Sequence, residues 1–301
     1  MTYENFIEAI KAEVAELCPN DKILTEKITK NNSVILDALV IFGENTCASP
    51  NIYLKNYYEE FERGKDIKEI AKEIVNFSNK YKNAIELNFE DYKTFEGVKN
   101  KILCRLVNYE QNEELLAKCP HRSFLDLALI YYCVEMDCNN EFGSWTISDI
   151  FCKEWKVTEE ILYETALDNL HRLMPLEIID IWDLLEMMTG EKYVPEDEEE
   201  LEMMREHRMY VLTNERKIFG ATSILFEDYI KAFGREYGSF FILPSSIHEV
   251  ILVPVEDTSD AQRYKNMVCD VNKTMVSKIE YLSDEVYFFD AVEQEIRRLI
   301  I

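Results

Sequence analysis

Residues 209–255 read MYVLTNERKIFGATSILFEDYIKAFGREYGSFFILPSSIHEVILVPV. The stretch opens with a short apolar run, Met209 to Leu212, which ends in the turn-forming Thr213-Asn214. After Gly220, apolar side chains recur at spacings of one, three or four residues, and Gly238 stands where a left-handed helix C-cap is expected. This pattern predicts a strand, a turn and an amphipathic helix.

Two β-rich runs come after that helix. Phe240 to Leu243 and Val250 to Val253 flank the turn-forming Pro244-Ser245-Ser246. The order strand, helix, strand, strand predicts a sheet with a helix packed on it. We expect the C-terminal half of the chain to be built around this layer.

The rest of the chain carries the same mixture of patterns. Thr2 is placed to cap an amphipathic helix that reaches Leu17, and Lys30-Asn31-Asn32-Ser33 predicts a hairpin turn between two β-rich runs. Further strands are predicted from Ile102 to Val107 and in the apolar run from Leu125 to Val134. Strands separated by helices of very different length favour an α+β fold of two packed halves, with mixed or mainly antiparallel sheets and flanking helices.

Pro175 marks the predicted boundary between the halves. We expect an N-terminal α+β half over residues 1–175, a helix and acidic linker over 176–207, and a C-terminal α+β half over 208–301. In the last of these, Ser259 and Gln262 predict a capping box. Residues 292–301 fit either a returning strand or a terminal helix.

Composition predicts a soluble globular protein. The 301 residues are 47% apolar and 12% aromatic, their apolar runs are too short to span a bilayer, and no signal peptide opens the chain. Eight cysteines lie scattered without a C-x-x-C pair, which favours reduced thiols and a cytoplasmic location. Cys119, His121, Cys133 and Cys138 match no common zinc spacing, so we expect no metal site, and no cofactor motif is present.

The charge is strongly acidic. The chain holds 58 acidic and 33 basic residues, for a net charge of −25. Such a field repels phosphate backbones and disfavours direct nucleic-acid binding. It suits solubility, a surface that meets a basic protein partner, or mimicry of nucleic acid.

The most reactive-looking cluster is Ser245-Ser246-Ile247-His248-Glu249. On an extended backbone Ser246 and His248 point to one face, so a hydroxyl and an imidazole can approach each other, with Glu249 or Asn214 assisting. Nucleophilic catalysis also needs an oriented base and oxyanion donors, and no Gly-x-Ser-x-Gly elbow is present. A serine-rich turn entering a strand is the competing interpretation, and we favour it.

Other polar groups are weaker candidates. Arg216, in the turn after Asn214, is a candidate ligand-binding residue. Asp180 and Asp183 form a carboxylate pair on a predicted helix face. The acidic run Glu196, Asp197, Glu198, Glu199 and Glu200 is the only charge block in the chain, and it is a candidate binding surface that lacks the fixed spacing of a metal cage.

Three phrases in the second half resemble a known family. Tyr210-Val211-Leu212-Thr213-Asn214, Phe219-Gly220-Ala221 and Leu243-Pro244-Ser245-Ser246-Ile247-His248-Glu249-Val250 are similar to the DUF5688 family of anaerobic Gram-positive bacteria, a domain of unknown function. The N-terminal helix and residues 155–173 are similar to it as well. The resemblance implies a cytoplasmic bacterial α+β protein and transfers no catalytic assignment.

Two classes of function remain open. The first is a non-enzymatic interaction protein that binds a protein partner through an acidic or aromatic surface, one version being an inhibitor that mimics nucleic acid. The second is a hydrolase or transferase that uses Ser246 and His248. The sequence favours the first class, because it places no complete catalytic motif around the second.

Overall fold

A computed structural model describes residues 1–43, 49–84, 89–136, 142–195, 197, 198, 202, 204 and 208–300. Helices and antiparallel sheets mix throughout these residues, which confirms the α+β class. The chain forms two compact units. The first holds Met1–Phe89 with Met136–Gly143, and the second holds Glu90–Glu135 with Ser144–Ile301.

This division falls elsewhere than the boundary predicted near Pro175. The polypeptide continues past Pro175 into a strand, Leu176–Asp180, that pairs with Tyr210–Asn214. The start of the predicted linker therefore belongs to the same sheet as the predicted C-terminal half. The sequence signals at Pro175 mark the end of a helix, and the contacts of the fold place the division of the chain near residue 89.

The first unit is a three-stranded sheet with helices. Its elements are α1 (Tyr3–Leu17), β1 (Lys22–Thr29), β2 (Ile35–Phe42), β3 (Ile52–Tyr53), α2 (Leu54–Glu62) and α3 (Ile67–Ala84). The strand order is β1-β2-β3. Thr2 caps α1 as expected, because its hydroxyl accepts from the Asn5 amide at 3.3 Å. The predicted hairpin is also present, with Lys22 opposite Phe42 and Thr29 opposite Ile35.

One apolar cluster holds this unit together. Residues of α1, β2, β3, α2 and α3 that are fully or nearly fully buried form it: Phe6, Ile10, Val14, Leu39, Ile41, Ile52, Leu54, Ile70, Ala71 and Ile74. The aromatic side chains of α2 form a stripe at helical spacing, Tyr57, Tyr58 and Phe61, and this stripe packs here, with the rings of Phe6 and Phe61 5.5 Å apart. The stripe is therefore core packing, in agreement with its helical period.

The remaining elements belong wholly or mainly to the second unit; the end of β6 at Met136 and the start of β7 at Phe142 and Gly143 are counted with the first. They are α4 (Phe89–Tyr92), which begins at the edge of the first unit, then α5 (Phe95–Val98), β4 (Ile102–Asn108), α6 (Glu113–Leu116), β5 (His121–Phe124), β6 (Leu127–Met136), β7 (Phe142–Thr146), α7 (Asp149–Trp155), α8 (Glu159–Leu173), β8 (Leu176–Asp180), α9 (Ile181–Thr189), β9 (Tyr210–Asn214), α10 (Glu227–Tyr237), β10 (Phe240–Leu243), β11 (Val250–Pro254), α11 (Ala261–Thr274), β12 (Tyr287–Asp290) and β13 (Glu295–Arg298). Short 3₁₀ turns join several of them.

The stretch from β9 to β11 forms the centre of a six-stranded sheet in the order β13-β12-β10-β11-β9-β8. Helices cover both of its faces. Phe241 packs its ring 5.2 Å from Tyr264 of α11, and the neighbouring Phe240 packs 4.9 Å from Phe233 of α10. Alternate residues of one strand thus enter two different cores, as the two-residue period of a strand requires.

A second sheet in this unit has the order β4-β6-β5, and β7 also pairs with β6. Helix α8 packs on β4, where the buried Asn169 amide donates to the Ile102 carbonyl at 2.8 Å. Thr158 caps α8, since its hydroxyl accepts from the Ile161 amide at 3.4 Å. The apolar run predicted as a buried strand is β6, whose Leu127, Ile130 and Cys133 are fully buried.

Two expectations at the C-terminus have clear outcomes. The predicted capping box is wrong: Asp257 Oδ1 accepts from the Ser259 amide at 2.7 Å, and α11 begins only at Ala261 without a side-chain cap. The aspartate two residues upstream competes for the amide, which is a common local hydrogen bond for Asp. Residues 295–298 form the returning strand β13 and not a helix.

The described cysteines carry thiols and not disulfides. Cys47 and Cys138 lie outside the described residues. Within the described ranges, no helix combines the length and the apolar character that crossing a bilayer demands.

Candidate functional site

The loop between β10 and β11 carries the predicted catalytic candidates. It is held by backbone hydrogen bonds to the segment before β12: the Ile247 amide donates to the Glu280 carbonyl at 2.8 Å, and the Leu282 amide donates to the Ser245 carbonyl at 3.0 Å. Ser246 also forms an isolated antiparallel bridge with Tyr281. The loop is therefore integrated into the fold through its main chain.

The hydroxyl of Ser246 is buried and serves the turn. Its Oγ accepts from the backbone amide of His248 at 3.0 Å. A serine that bonds the amide two residues ahead is turn chemistry, and the acceptor lone pair faces the main chain. The predicted proximity of Ser246 and His248 is real, but the contact runs through the His248 backbone.

The imidazole of His248 has other partners. Its Nδ1 accepts from the Phe219 amide at 3.3 Å, so the ring proton lies on Nε2, which is 3.8 Å from Glu280 Oε1. The ring stacks on Phe219 with centroids 5.9 Å apart and planes 9° apart. His248 thereby holds the loop that carries Phe219.

Asn214 organises that same loop. Its side-chain oxygen accepts from the Arg216 amide at 3.1 Å, and its side-chain nitrogen donates to the Ile218 carbonyl at 2.9 Å. Beyond it, Gly220 lies so close to the neighbouring loop that a Cβ would sit 2.3 Å from the His248 carbonyl oxygen. Asn214, His248 and Gly220 are therefore a structural set that fixes two loops against each other.

The remaining predicted candidates are dispersed. Arg216 is partly exposed on the turn, and Glu249 is partly buried at the start of β11. Asp180 caps α9, accepting from the Trp182 amide at 2.9 Å, whereas Asp183 is exposed in its first turn. In the acidic run, Asp197 and Glu198 are exposed, and Glu196, Glu199 and Glu200 lie outside the described residues.

The described members of the cysteine and histidine set, Cys119, His121 and Cys133, make ordinary packing contacts. Cys119 and Cys133 are buried, and burial raises the pKa of their thiols to about 11 and about 12. His121 places Nδ1 3.0 Å from the Cys119 carbonyl oxygen. Where the chain is described, no three His, Cys, Asp or Glu side chains converge on a common point.

The second unit contains a cleft of about 550 Å³. We name it the acidic cleft. It is lined by Phe124 of β5, Tyr163 of α8, Ile224 and Leu225 of the preceding turn, Glu227, Ile230 and Lys231 of α10, Phe289 of β12, and Glu293, Gln294, Glu295 and Ile296 of the β12–β13 hairpin. Four segments distant in the sequence build it.

The cleft has an apolar floor and an acidic rim. Ile224, Ile230 and Phe289 are each 2% exposed and form the floor. Lys231 binds Glu227 at 2.8 Å, and this hydrogen bond raises the pKa of the lysine. The carboxylates of Glu293 and Glu295 lie exposed on the hairpin, where their negative charge faces solvent at the mouth of the cleft.

Arg122, which contacts the cleft residue Tyr163, does not neutralise this rim. Arg122 stacks on Tyr163 with its guanidinium carbon 3.9 Å from the ring centroid. Its nitrogens bind Glu159 at 2.9 Å and Glu160 at 2.7 Å. The hydrogen bond to Glu159 raises the pKa of Arg122, and its charge is satisfied by these two acids.

Two features of the structure were not predicted from the sequence. The acidic cleft had no sequence signal, because its walls meet only in the folded chain. Arg105 did have one: it is the single charge in the apolar run Ile102–Val107, and it lies against the Phe219 ring, its guanidinium carbon 4.6 Å from the centroid. A lone arginine in a buried strand is a position where charge must be compensated or used.

Comparison with known proteins gives one match. The model of a family of unknown function, DUF5688, matches residues 3–291, which takes in nearly all of both compact units. No curated protein and no solved structure is significantly similar to the chain. The resemblance seen in the three sequence phrases is thus confirmed, and the chain belongs to the DUF5688 family.

Proposed function

We propose that the protein is a non-enzymatic interaction protein that binds a basic segment of a protein partner in the acidic cleft. The observation that carries the proposal is the combination of an apolar floor, Ile224, Ile230 and Phe289, with the exposed carboxylates of Glu293 and Glu295 at the mouth. Lysine and arginine side chains have this same division, an aliphatic stem below a charged head.

The size of the cleft fits this occupant. A volume of about 550 Å³ falls within the range of about 300–1,000 Å³ typical of ligand sites and admits a few side chains. The net charge of −25 adds a long-range field that speeds the encounter with a basic partner. One version of this function is an inhibitor that mimics nucleic acid, whose partner would be a nucleic-acid-binding protein.

The catalytic alternative has less support. The Ser246 hydroxyl and the His248 imidazole are each engaged with a backbone amide, so the base that a serine nucleophile needs is directed elsewhere. We also place the protein in the cytoplasm, which accords with buried cysteines that carry thiols.

The proposal is tested with a fluorescent lysine-rich peptide whose binding is followed by anisotropy. We expect measurable binding at low salt and much weaker binding at about 0.15 M salt, where the screening length is about 8 Å. Exposed ion pairs contribute about 0.2–1 kcal/mol each, so Glu293→Gln with Glu295→Gln should weaken binding by about 2- to 30-fold.

A matched control separates the cleft from net charge. Glu8 and Glu16 are exposed residues of α1, and Glu8→Gln with Glu16→Gln removes the same two charges from the first unit. We expect this double variant to bind the peptide almost as the natural protein does. If the two double variants weaken peptide binding equally, the peptide responds only to the overall charge of the protein. The proposal that it binds in the acidic cleft would then be wrong.

A further inference from the structure

Arg105 occupies an unusual position in the second unit. It lies in the middle of β4, whose other six residues are buried. In the register of the sheet it stands beside Ile130, which stands beside His121. Side chains directly opposite each other share a face, so the arginine emerges on the face that also carries the buried cluster of Val107, Cys119 and Ile130.

Aromatic rings enclose its guanidinium. The guanidinium carbon is 4.6 Å from the centroid of the Phe219 ring and 5.7 Å from that of Tyr132. Phe219 and Tyr132 in turn make an edge-on contact, with centroids 5.5 Å apart. These contacts hold the planar group by cation–π attraction and leave its N–H edge for a hydrogen-bond acceptor.

The charge of Arg105 lacks a counterion. Its Nε is fully buried without a hydrogen-bond partner, and no carboxylate among the described residues forms an ion pair with it. Burial lowers the pKa of this guanidinium, and the groups that act against that shift are Tyr132 and Cys119, which are neutral acids near pH 7. An uncompensated buried charge is costly, and natural folds keep one where it has a use.

A second arginine of the same sheet shows the contrast. Arg122 of β5 meets Glu159 through two nitrogens, at 3.1 and 2.9 Å, and also binds Glu160. Carboxylates therefore pair with the guanidinium of the partly exposed Arg122. Among the described residues, none pairs with the more enclosed Arg105. Arg105 remains partly exposed as a residue although its Nε is buried.

The loops described above keep this arrangement in place. Phe219 has a left-handed backbone with φ of 53°, and its amide is fixed by His248 Nδ1. The adjoining turn is fixed by Asn214. Non-glycine residues rarely adopt this backbone conformation, and they need support from neighbouring groups to hold it. The phrases that carry the family resemblance thus position the ring that rests on Arg105.

We propose that Arg105, between Phe219 and Tyr132, is a binding site for a small oxyanion, a carboxylate or a phosphate group of a ligand. The guanidinium fork matches both groups in geometry. The site does not depend on the acidic cleft. It is cationic where the cleft is acidic, so the two proposals stand or fall separately.

The test is a nuclear magnetic resonance titration of the full-length protein labelled with ¹⁵N. The arginine Nε–H signals are observed while inorganic phosphate or, in a separate arm, acetate is added at constant ionic strength to about 10 mM, ten times a Kd of about 1 mM. We expect the Arg105 signal to shift and saturate in at least one arm. The Arg122 signal, already bonded to Glu159, is the internal control and should stay in place.

The two arms identify the group that is bound. Saturation with phosphate alone assigns a phosphate ligand, and saturation with acetate assigns a carboxylate ligand. Arg105→Lys keeps the charge and loses the fork, and should bind the effective probe about tenfold more weakly. An Arg105 signal that stays fixed in both arms, or that moves in parallel with Arg122, would overturn the proposal without need of any variant.

Discussion

Asp126, at the turn between β5 and β6, makes the connection whose loss we can predict in most detail. Its carboxylate accepts from the Tyr287 hydroxyl at 2.7 Å and from the Ser283 hydroxyl at 2.7 Å. Tyr287 is 0% and Ser283 is 1% exposed, so neither donor has water as a substitute. One side chain thus joins the β4-β6-β5 sheet to the end of the six-stranded sheet.

The magnitude follows from these two bonds. Asp126→Ala leaves two buried hydroxyl donors unsatisfied, at about 1–3 kcal/mol each, so we expect a loss of about 2–6 kcal/mol in the free energy of unfolding. Tyr287→Phe removes one of the bonds, and a double-mutant cycle between the two positions should give a coupling energy of about 1.5–3 kcal/mol. These losses are large beside the usual total stability of about 5–15 kcal/mol.

Urea unfolding followed by tryptophan fluorescence is the assay. The three tryptophans, Trp145, Trp155 and Trp182, all belong to the second unit, so fluorescence reports the unit that contains Asp126. Asp168→Ala on the exposed face of α8 is the control and should change stability by less than about 0.5 kcal/mol. A coupling energy near zero between Asp126 and Tyr287 would refute the assignment, since independent losses would mean that the two groups do not act on each other.

Two further predictions concern the same unit. A Cβ on Gly234 of α10 would lie 2.4 Å from Phe289 Cε1, so Gly234→Ala should cost about 1 kcal/mol in urea unfolding despite its better helix propensity, and Phe289→Leu in the same chain should recover part of that loss. Burial above all, together with the Asp126 carboxylate, raises the pKa of Tyr287 well above its ordinary 10.0, so the folded protein retains a proton that the unfolded chain loses. The contribution of this proton to the free energy of unfolding is complete well below pH 10 and declines as pH rises through 10. Between pH 10 and 11 wild type should lose about 1 kcal/mol more than Tyr287→Phe, measured by circular dichroism; parallel slopes would contradict this reading.

The elements themselves were largely predictable from local signals. Gly238 has a positive φ, of 81°, at the helix end where glycine was expected to stop a helix. The strands β10 and β11 pair in antiparallel fashion across the Pro-Ser-Ser turn. Such signals act within a few residues, so a single chain displays them directly.

The arrangement of these elements was less accessible. Strand β8 pairs with β9 across about thirty intervening residues, and β12 pairs with β10 and not with its neighbour in sequence β11. Partner choice of this kind depends on which apolar faces can be buried together, which no short window of sequence contains. The division near residue 89 follows from the same long-range contacts.

The candidate sites divide in the same way. Proximity of Ser246 and His248 followed from two-residue periodicity, but the partner of the imidazole is the Phe219 amide, twenty-nine positions away. Arg105 was visible as an isolated charge, and only the fold shows that no acid among the described residues pairs with it. Glu293 and Glu295 resembled any other surface carboxylates until the hairpin placed them above an apolar floor.

The course of the chain between the compact units restricts how the protein can be dissected. The second unit is interrupted after Glu135 by Met136–Gly143, which belongs to the first unit, and resumes at Ser144. No single cut of the polypeptide can release either body whole. A fragment that ends at residue 89 would lack residues 136–143 of the first unit. To express the two units separately, residues 136–143 must be deleted from the second fragment and added to the first.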